Sequence, residues 1–364
     1  MTKIGSKQLF ALTFFTTIAL FIGFGNPLLL KNAGNSTLVA CLIGVVLGLL
    51  ILLLILYIAN NTNFTNFFKG LKEKNKVIGN ILSFLFIIFA LYILAINAWS
   101  FVNFVISQLL SRNSYYVFAI VFFLIVAYMV SKNIEVMGRT MFILFLFTML
   151  VFFTAVIFLA PTVEFDNILP LFDVPMIDTI KSALFFPSFA TIPLFFILAI
   201  GKKDVFDKRN YNKAIISGYL VGCLVVITIL FFIISVYGID VSKLFSYPAY
   251  TILKKIRAFD FIERIENILS LFFFSIALGS LSLQILFIYS YIKDTFKITK
   301  AKLEKGIIYL IALGIPLLSI YYFKHNYIFD FYALYPYLAV AMLILIILTA
   351  FFTLFVKKRA PVKN

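Results

Sequence analysis

Residues 22–27 read Ile-Gly-Phe-Gly-Asn-Pro, in the middle of an apolar run at 8–30. Proline lacks an N–H and its ring clashes with the preceding turn, while glycine tolerates conformations closed to other residues. Gly23, Gly25 and Pro27 therefore predict a helix that unwinds part-way along the run. A second apolar run, 181–200, carries Phe186-Pro-Ser-Phe-Ala-Thr-Ile-Pro193 and is interrupted in the same manner. Matching breaks in two halves of a membrane chain are the best sequence pointer to a binding site at the bilayer midplane.

The composition supports that frame. Of 364 residues, 63% are hydrophobic and 13% charged, against about 45–50% and about 25% in soluble domains. The chain is an integral membrane protein. A bilayer core about 30 Å thick takes about 20 apolar residues per helix. Runs of that kind lie near 8–30, 38–59, 79–110, 115–131, 139–160, 181–200, 213–237, 265–292, 306–323 and 331–356. The first is too long for a signal-peptide core and is read as a retained span. Cys41 and Cys223 fall inside runs, where they act as small apolar residues.

The net charge of +16 would suggest nucleic acid in a soluble protein, but the charges sit between the runs. Outside the connections predicted to face one side, the nine remaining basic residues are Lys31, Arg112, Lys181, Lys324 and five in the long connection 241–266; the other 22 of the 31 Lys and Arg share the opposite side with both termini. Cytoplasmic segments hold the excess of Lys and Arg, so both termini are expected in the cytoplasm. The clusters Lys202/Lys203/Lys208/Arg209, Lys293/Lys297/Lys300/Lys302 and Lys357/Lys358/Arg359 then read as contacts with anionic lipid rather than a nucleic-acid surface.

Ten spans with both termini on one side divide into five and five, about 8–160 and about 181–356, and an odd number per half inverts one half relative to the other. Span 2 carries Gly44-Val-Val-Leu-Gly48, and its counterpart, span 7, carries Gly218-Tyr-Leu-Val-Gly222. Small residues at that spacing let helix backbones approach closely in lipid. The fold class is thus all-α: a single polytopic domain with an inverted repeat and broken helices 1 and 6.

Unwound backbone in a membrane must find polar partners, and a polar ligand can supply them. All 15 carboxylates fall in connections or near helix ends, so a buried carboxylate relay has no support. A carboxylate-bearing zwitterion matches such a site better than a free cation, which no deep side chain would neutralise. This points to a neutral amino acid or a similarly small polar solute. Tyr92, Asn97 and Trp99 in span 3, and Ser275, Ser280 and Ser282 in span 8, are polar side chains at membrane depth; taken singly, each reads as an interhelical hydrogen bond or an interfacial aromatic. The sole histidine, His325, lies between spans 9 and 10. No catalytic residues, metal ligands or cofactor are expected, and no phosphate-binding Gly-Lys-Ser/Thr loop is present. Residues 63–76 place Phe64, Phe67, Phe68 and Leu71 at helical spacing among lysines, predicting a short helix lying in the membrane interface. The connection 241–266 alternates Leu244, Ile252, Ile256 and Phe261 with basic residues and could cap the outer mouth.

Four elements in order, Gly-Phe-Gly in broken span 1, Ile134-Glu-Val-Met-Gly-Arg-Thr140, Asp166-Asn-Ile-Leu-Pro-Leu171 and Phe261-Ile-Glu-Arg-Ile-Glu266, resemble the spore germination receptor B subunits of the amino acid–polyamine–organocation transporter superfamily. The resemblance covers nearly the whole chain. It implies a LeuT-like five-plus-five inverted repeat in the spore inner membrane, A-type and C-type partner subunits, and sensing of a nutrient, often an amino acid. Carried over by position, Gly23, Gly25, Tyr92, Ile96, Ser188, Phe189 and Ser280 would line the ligand pocket between broken helices 1 and 6. Asn26-Pro27 follows Gly-Phe-Gly directly, where the family continues with apolar residues. The alternatives are an H+- or Na+-coupled amino acid permease of the same superfamily, with backbone carbonyls and Ser280 able to hold Na+, and a structural or channel subunit with no small-molecule site.

Overall fold

With no water in the bilayer core, each apolar run must close its backbone hydrogen bonds within itself, and a helix does so. The computed structural model describes residues 3–62, 66–172, 174–256, 270–325 and 329–356. Among the described residues, ten helical stretches are long and apolar enough to cross a membrane, and no strand is present beyond one isolated bridge. In chain order the helices are α1 (Ser6–Leu20), α2 (Asn26–Ala33), α3 (Thr37–Asn61), α4 (Phe67–Lys74), α5 (Lys76–Gln108), α6 (Tyr115–Lys132) and α7 (Ile134–Leu159). They continue with α8 (Met176–Ala183), α9 (Phe185–Ala190), α10 (Tyr211–Ser242), α11 (Pro248–Thr251), α12 (Leu271–Thr295), α13 (Ala301–His325) and α14 (Phe329–Phe355). The element Phe261–Glu266 and the cluster Lys357/Lys358/Arg359 lie outside the described residues, as does Phe64.

Span 1 is interrupted, but not by unwinding. A π-helical turn, Phe21–Gly25, joins α1 to α2, and the Asn26 N–H donates to the Phe21 carbonyl. Gly25 and Asn26 keep right-handed helical angles (φ −66° and −57°), and Gly23 is not among the glycines with positive φ, so neither glycine of the Gly-Phe-Gly element uses its left-handed freedom. The extra residue in the turn lets Pro27 enter the first turn of α2, where a missing N–H is tolerated. Span 6 is broken more deeply. Pro187 cannot donate to Ala183, and the chain steps from α8 to α9 at Leu184; Pro193 cannot donate to Phe189, and Ile192–Ala199 continues as a 3-10 helix. An eight-residue 3-10 helix is long for that geometry, which marks a segment held by its surroundings.

The two Gly-xxx-Gly elements pack reciprocally. A Cβ on Gly44 would strike Phe186, and one on Gly48 would strike Thr191 and the Tyr219 hydroxyl, so span 2 lies against broken span 6. A Cβ on Gly218 would come within 2.6 Å of the Phe10 carbonyl, and one on Gly222 within 2.9 Å of Thr17, so span 7 lies against broken span 1. Each broken helix is thus clasped by the small-residue face of a helix from the same relative position in the other half, an exchange that fits an inverted repeat.

Both ends of the described chain lie on one face. Ile4 bridges to Val205 in the connection between spans 6 and 7, through Ile4 N–H to Asp204 O at 2.7 Å and Phe206 N–H to Ile4 O at 2.9 Å. On the same face, the Lys74 ammonium donates to the Thr353 and Val356 carbonyls at 2.7 and 3.0 Å, satisfying the end of α14. The amphipathic helix predicted for the interface is α4, but its apolar face is inside the protein. Phe67, Phe68 and Leu71 are buried; the Phe67 ring meets Phe86 and the Phe68 ring meets Phe287, at centroid distances of 5.0 and 4.9 Å. Lys72 pairs with Asp294 at 2.6 Å. With Phe195 and Phe196 of the 3-10 segment packed on Phe287, α4 plugs the terminal face of the bundle.

Candidate functional site

The opposite, distal face holds a partly open cleft between span 1, α5, α12 and the connection after α10. Its floor is the π-turn: Ile22 and Gly23 line it, and a Cβ on Gly23 would come within 3.0 Å of the Ser100 hydroxyl oxygen. Asn97 and Ser100, three residues apart on α5, supply polar groups on one face, while Ile276 and Ala277 of α12 form the wall opposite. Behind it, the Asn97 amide donates to the Ser280 hydroxyl at 3.1 Å, and Ser280 donates to the Ala277 carbonyl at 3.4 Å.

The roof comes from the connection between spans 7 and 8. Tyr247, Ala249 and Tyr250 face the cleft, and Phe104 packs edge-on against both tyrosine rings at 5.3 and 5.4 Å. Tyr247 is tied down by Asn103, whose side-chain amide nitrogen donates to its hydroxyl at 2.7 Å, while the Tyr115 hydroxyl donates to the Asn103 side-chain oxygen Oδ1 at 3.0 Å. Burial pushes the Tyr247 hydroxyl up to about 12, so it stays neutral. The roof leaves α10 just past Gly238, whose φ of 69° lies in the left-handed region that glycine enters freely. This kink frees the Ser235 carbonyl. Asn167 and the Glu164 N–H fill it, at 3.0 and 3.1 Å, which gives the Asp166–Leu171 element a structural role.

A second polar cluster lies around the break in span 6. Ser188 donates to the Leu184 carbonyl at 3.0 Å, and its own carbonyl accepts from the Tyr335 hydroxyl at 3.1 Å. Phe189 stacks on the Tyr335 ring at 4.7 Å and meets Phe21 edge-on at 6.5 Å. Tyr92 lies within electrostatic reach of Tyr335, and its own hydroxyl is buried without a hydrogen-bond partner. Asn26, fully buried at the end of the π-turn, leaves both its amide nitrogen and its amide oxygen unpaired. An unpaired buried amide costs about 1–3 kcal/mol per polar group, so two at one break call for a ligand or water.

Of the residues carried over to a pocket, Gly23 lines the cleft and Ser280 stands one hydrogen bond behind it. Gly25 faces the Phe21 ring, and Ile96 is buried on α5. Ser188, Phe189 and Tyr92 belong to the second cluster. Neither group includes an acidic or basic side chain among the described residues. Sequence pattern alone does not single out Ser100, Tyr247, Tyr250 or Tyr335, and it marks Asn26 only as a departure from the family's apolar continuation. A signal was present: Tyr247-Pro-Ala-Tyr250 is an aromatic pair around a proline in a loop otherwise marked by lysines, and Asn97 and Ser100 share a helix face.

A family model described as spore germination protein matches residues 3–328. The chain is also 26% identical over 261 residues to YfkT of Bacillus subtilis (strain 168), a protein named for spore germination, with 70% of each chain covered.

Proposed function

Because the chain belongs to the spore germination protein family, we propose that it is the nutrient-sensing membrane subunit of a germination receptor, binding a small neutral or zwitterionic germinant, an amino acid by preference. One observation carries this reading: among the described residues, the cleft beside the break in span 1 offers Asn97 and Ser100 as polar groups, with no ionisable side chain except the tyrosines of its roof. A net-charged ligand would enter uncompensated, whereas a zwitterion brings both charges and needs only dipoles. Rearrangement of the π-turn toward the ligand would bring the unpaired Asn26 amide into use and join the two polar clusters between spans 1 and 6. The reading further takes the chain as one transporter-fold domain with repeats 8–160 and 181–356, cytoplasmic termini in the spore inner membrane, and A-type and C-type subunits as partners.

Thermal stabilisation of the purified protein by a panel of amino acids tests it. Neutral amino acids should raise the melting temperature saturably, because a ligand that binds only the folded state stabilises it by mass action. Stabilisation by lysine or glutamate alone would sink the proposal. Concentrative uptake of the same amino acid into proteoliposomes would favour the coupled permease.

A further inference from the structure

Five of the nine basic residues assigned to the distal side crowd into one connection, and of the three described, Lys243, Lys254 and Lys255, none lines the cleft. Beside the cleft runs a second groove, walled by spans 5, 7 and 8. Val151, Ala155 and Leu159 mark its length on α7, eight residues or about 12 Å along the helix axis. That is most of one leaflet of a bilayer core about 30 Å thick. Its walls are apolar, and Phe152 and Val156 are half-exposed on the lipid side. Ile252 and Leu253 roof it, and the next two residues are Lys254 and Lys255, both exposed.

We infer that this groove holds one acyl chain of an anionic phospholipid, with Lys254 and Lys255 at its mouth receiving the phosphate. Depth, apolar walls and paired positive charge at the rim match a lipid tail and headgroup; a small polar solute would leave the walls unsatisfied. Each ammonium group sits over an aromatic ring, Lys254 over Tyr250 at 4.8 Å and Lys255 over Tyr237 at 5.2 Å. Tyr250, Ala249 and Phe273 line the cleft as well, Ala249 and Phe273 being shared with the groove. A bound lipid would therefore steady the roof of the cleft from its outer side.

Native mass spectrometry of the purified protein, given equal phosphatidylglycerol and phosphatidylcholine, tests the site. The wild type should keep one phosphatidylglycerol with a preference on the order of tenfold, as expected for two lysines near a headgroup. Val156→Phe fills the groove from a half-exposed position without touching the lysines. Lys254→Gln/Lys255→Gln removes the charge and alters only exposed side chains. Both variants should lose that adduct, while Lys202→Gln/Lys203→Gln on the terminal face keeps it. Retention of the wild-type adduct by either of the first two variants, or no headgroup preference in the wild type, would overturn the assignment.

Discussion

Asn103 and Tyr247 meet at 2.7 Å, and this hydrogen bond fastens the roof of the cleft to span 3. Tyr247→Phe keeps the ring contact with Phe104 but removes the hydroxyl, leaving the Asn103 amide short of a partner. A net loss of about 0.5–1.5 kcal/mol in holding the roof closed is expected. Germinant dissociation should be faster, with little change in association, as measured by stopped-flow or surface plasmon resonance. Because burial keeps this hydroxyl neutral, the wild-type dissociation rate should stay flat from pH 6 to about 9.

Glycines divide by what surrounds them. Gly218→Ala would drive a methyl group toward the Phe10 backbone carbonyl, which cannot turn aside as a side chain can. Overpacking of this kind costs about 1–3 kcal/mol, and a lower melting temperature in detergent should report it. Nothing lies within 4 Å of a Cβ on Gly306 or Gly314 of α13. Gly306→Ala should leave the melting temperature unchanged or raised, by up to about 1 kcal/mol of helix propensity.

Asp204 sits where the N-terminal segment meets the connection between spans 6 and 7. Burial raises its pKa, opposed by the Gly201 N–H and by Lys203 and Lys3. The sign follows: a group raised in the folded state favours folding when protonated. Its contribution is fully present below the ordinary value of 3.8 and is lost as pH rises through the folded value. Asp204→Asn keeps an acceptor for Gly201 without the charge. Its melting temperature at pH 7 should equal or exceed that of the wild type, and the decline just above about pH 4 should flatten.

The proposed topology puts the turn after span 3 outside the cell. Asn113 is exposed there, and both native cysteines are buried. A cysteine at Asn113 should react with an impermeant maleimide added to intact cells. Labelling only after the membrane is opened would reverse the orientation.

Much of the architecture was legible in the sequence, because long apolar runs in lipid have only one way to satisfy their backbones. The small-residue elements of spans 2 and 7 also announced close approach, and Gly44, Gly48, Gly218 and Gly222 each meet another helix. What the sequence could not show was the form of the breaks. Gly23 and Gly25 permit unwinding, but a π-turn suffices once Phe21 packs on Phe186 at 4.9 Å and holds the helix in place. In α4, the pattern Phe67, Phe68, Leu71 describes an apolar face equally suited to lipid or to protein. Phe86, Phe195 and Phe287, distant in sequence, decide for protein. The roof over the cleft was hidden for a similar reason: Tyr247 gains meaning only when Asn103 stands beside it.

The cleft beside Gly23 is the proposed germinant site. Equilibrium binding of a radiolabelled neutral amino acid to the purified wild type and to Gly23→Leu, both checked for an intact melting transition, tests it most directly. Binding to the wild type should be saturable, and affinity should be at least about tenfold weaker in the variant, or about 1.4 kcal/mol, because the added side chain projects toward Ser100 across the floor of the cleft. An unchanged dissociation constant in a folded Gly23→Leu would contradict it.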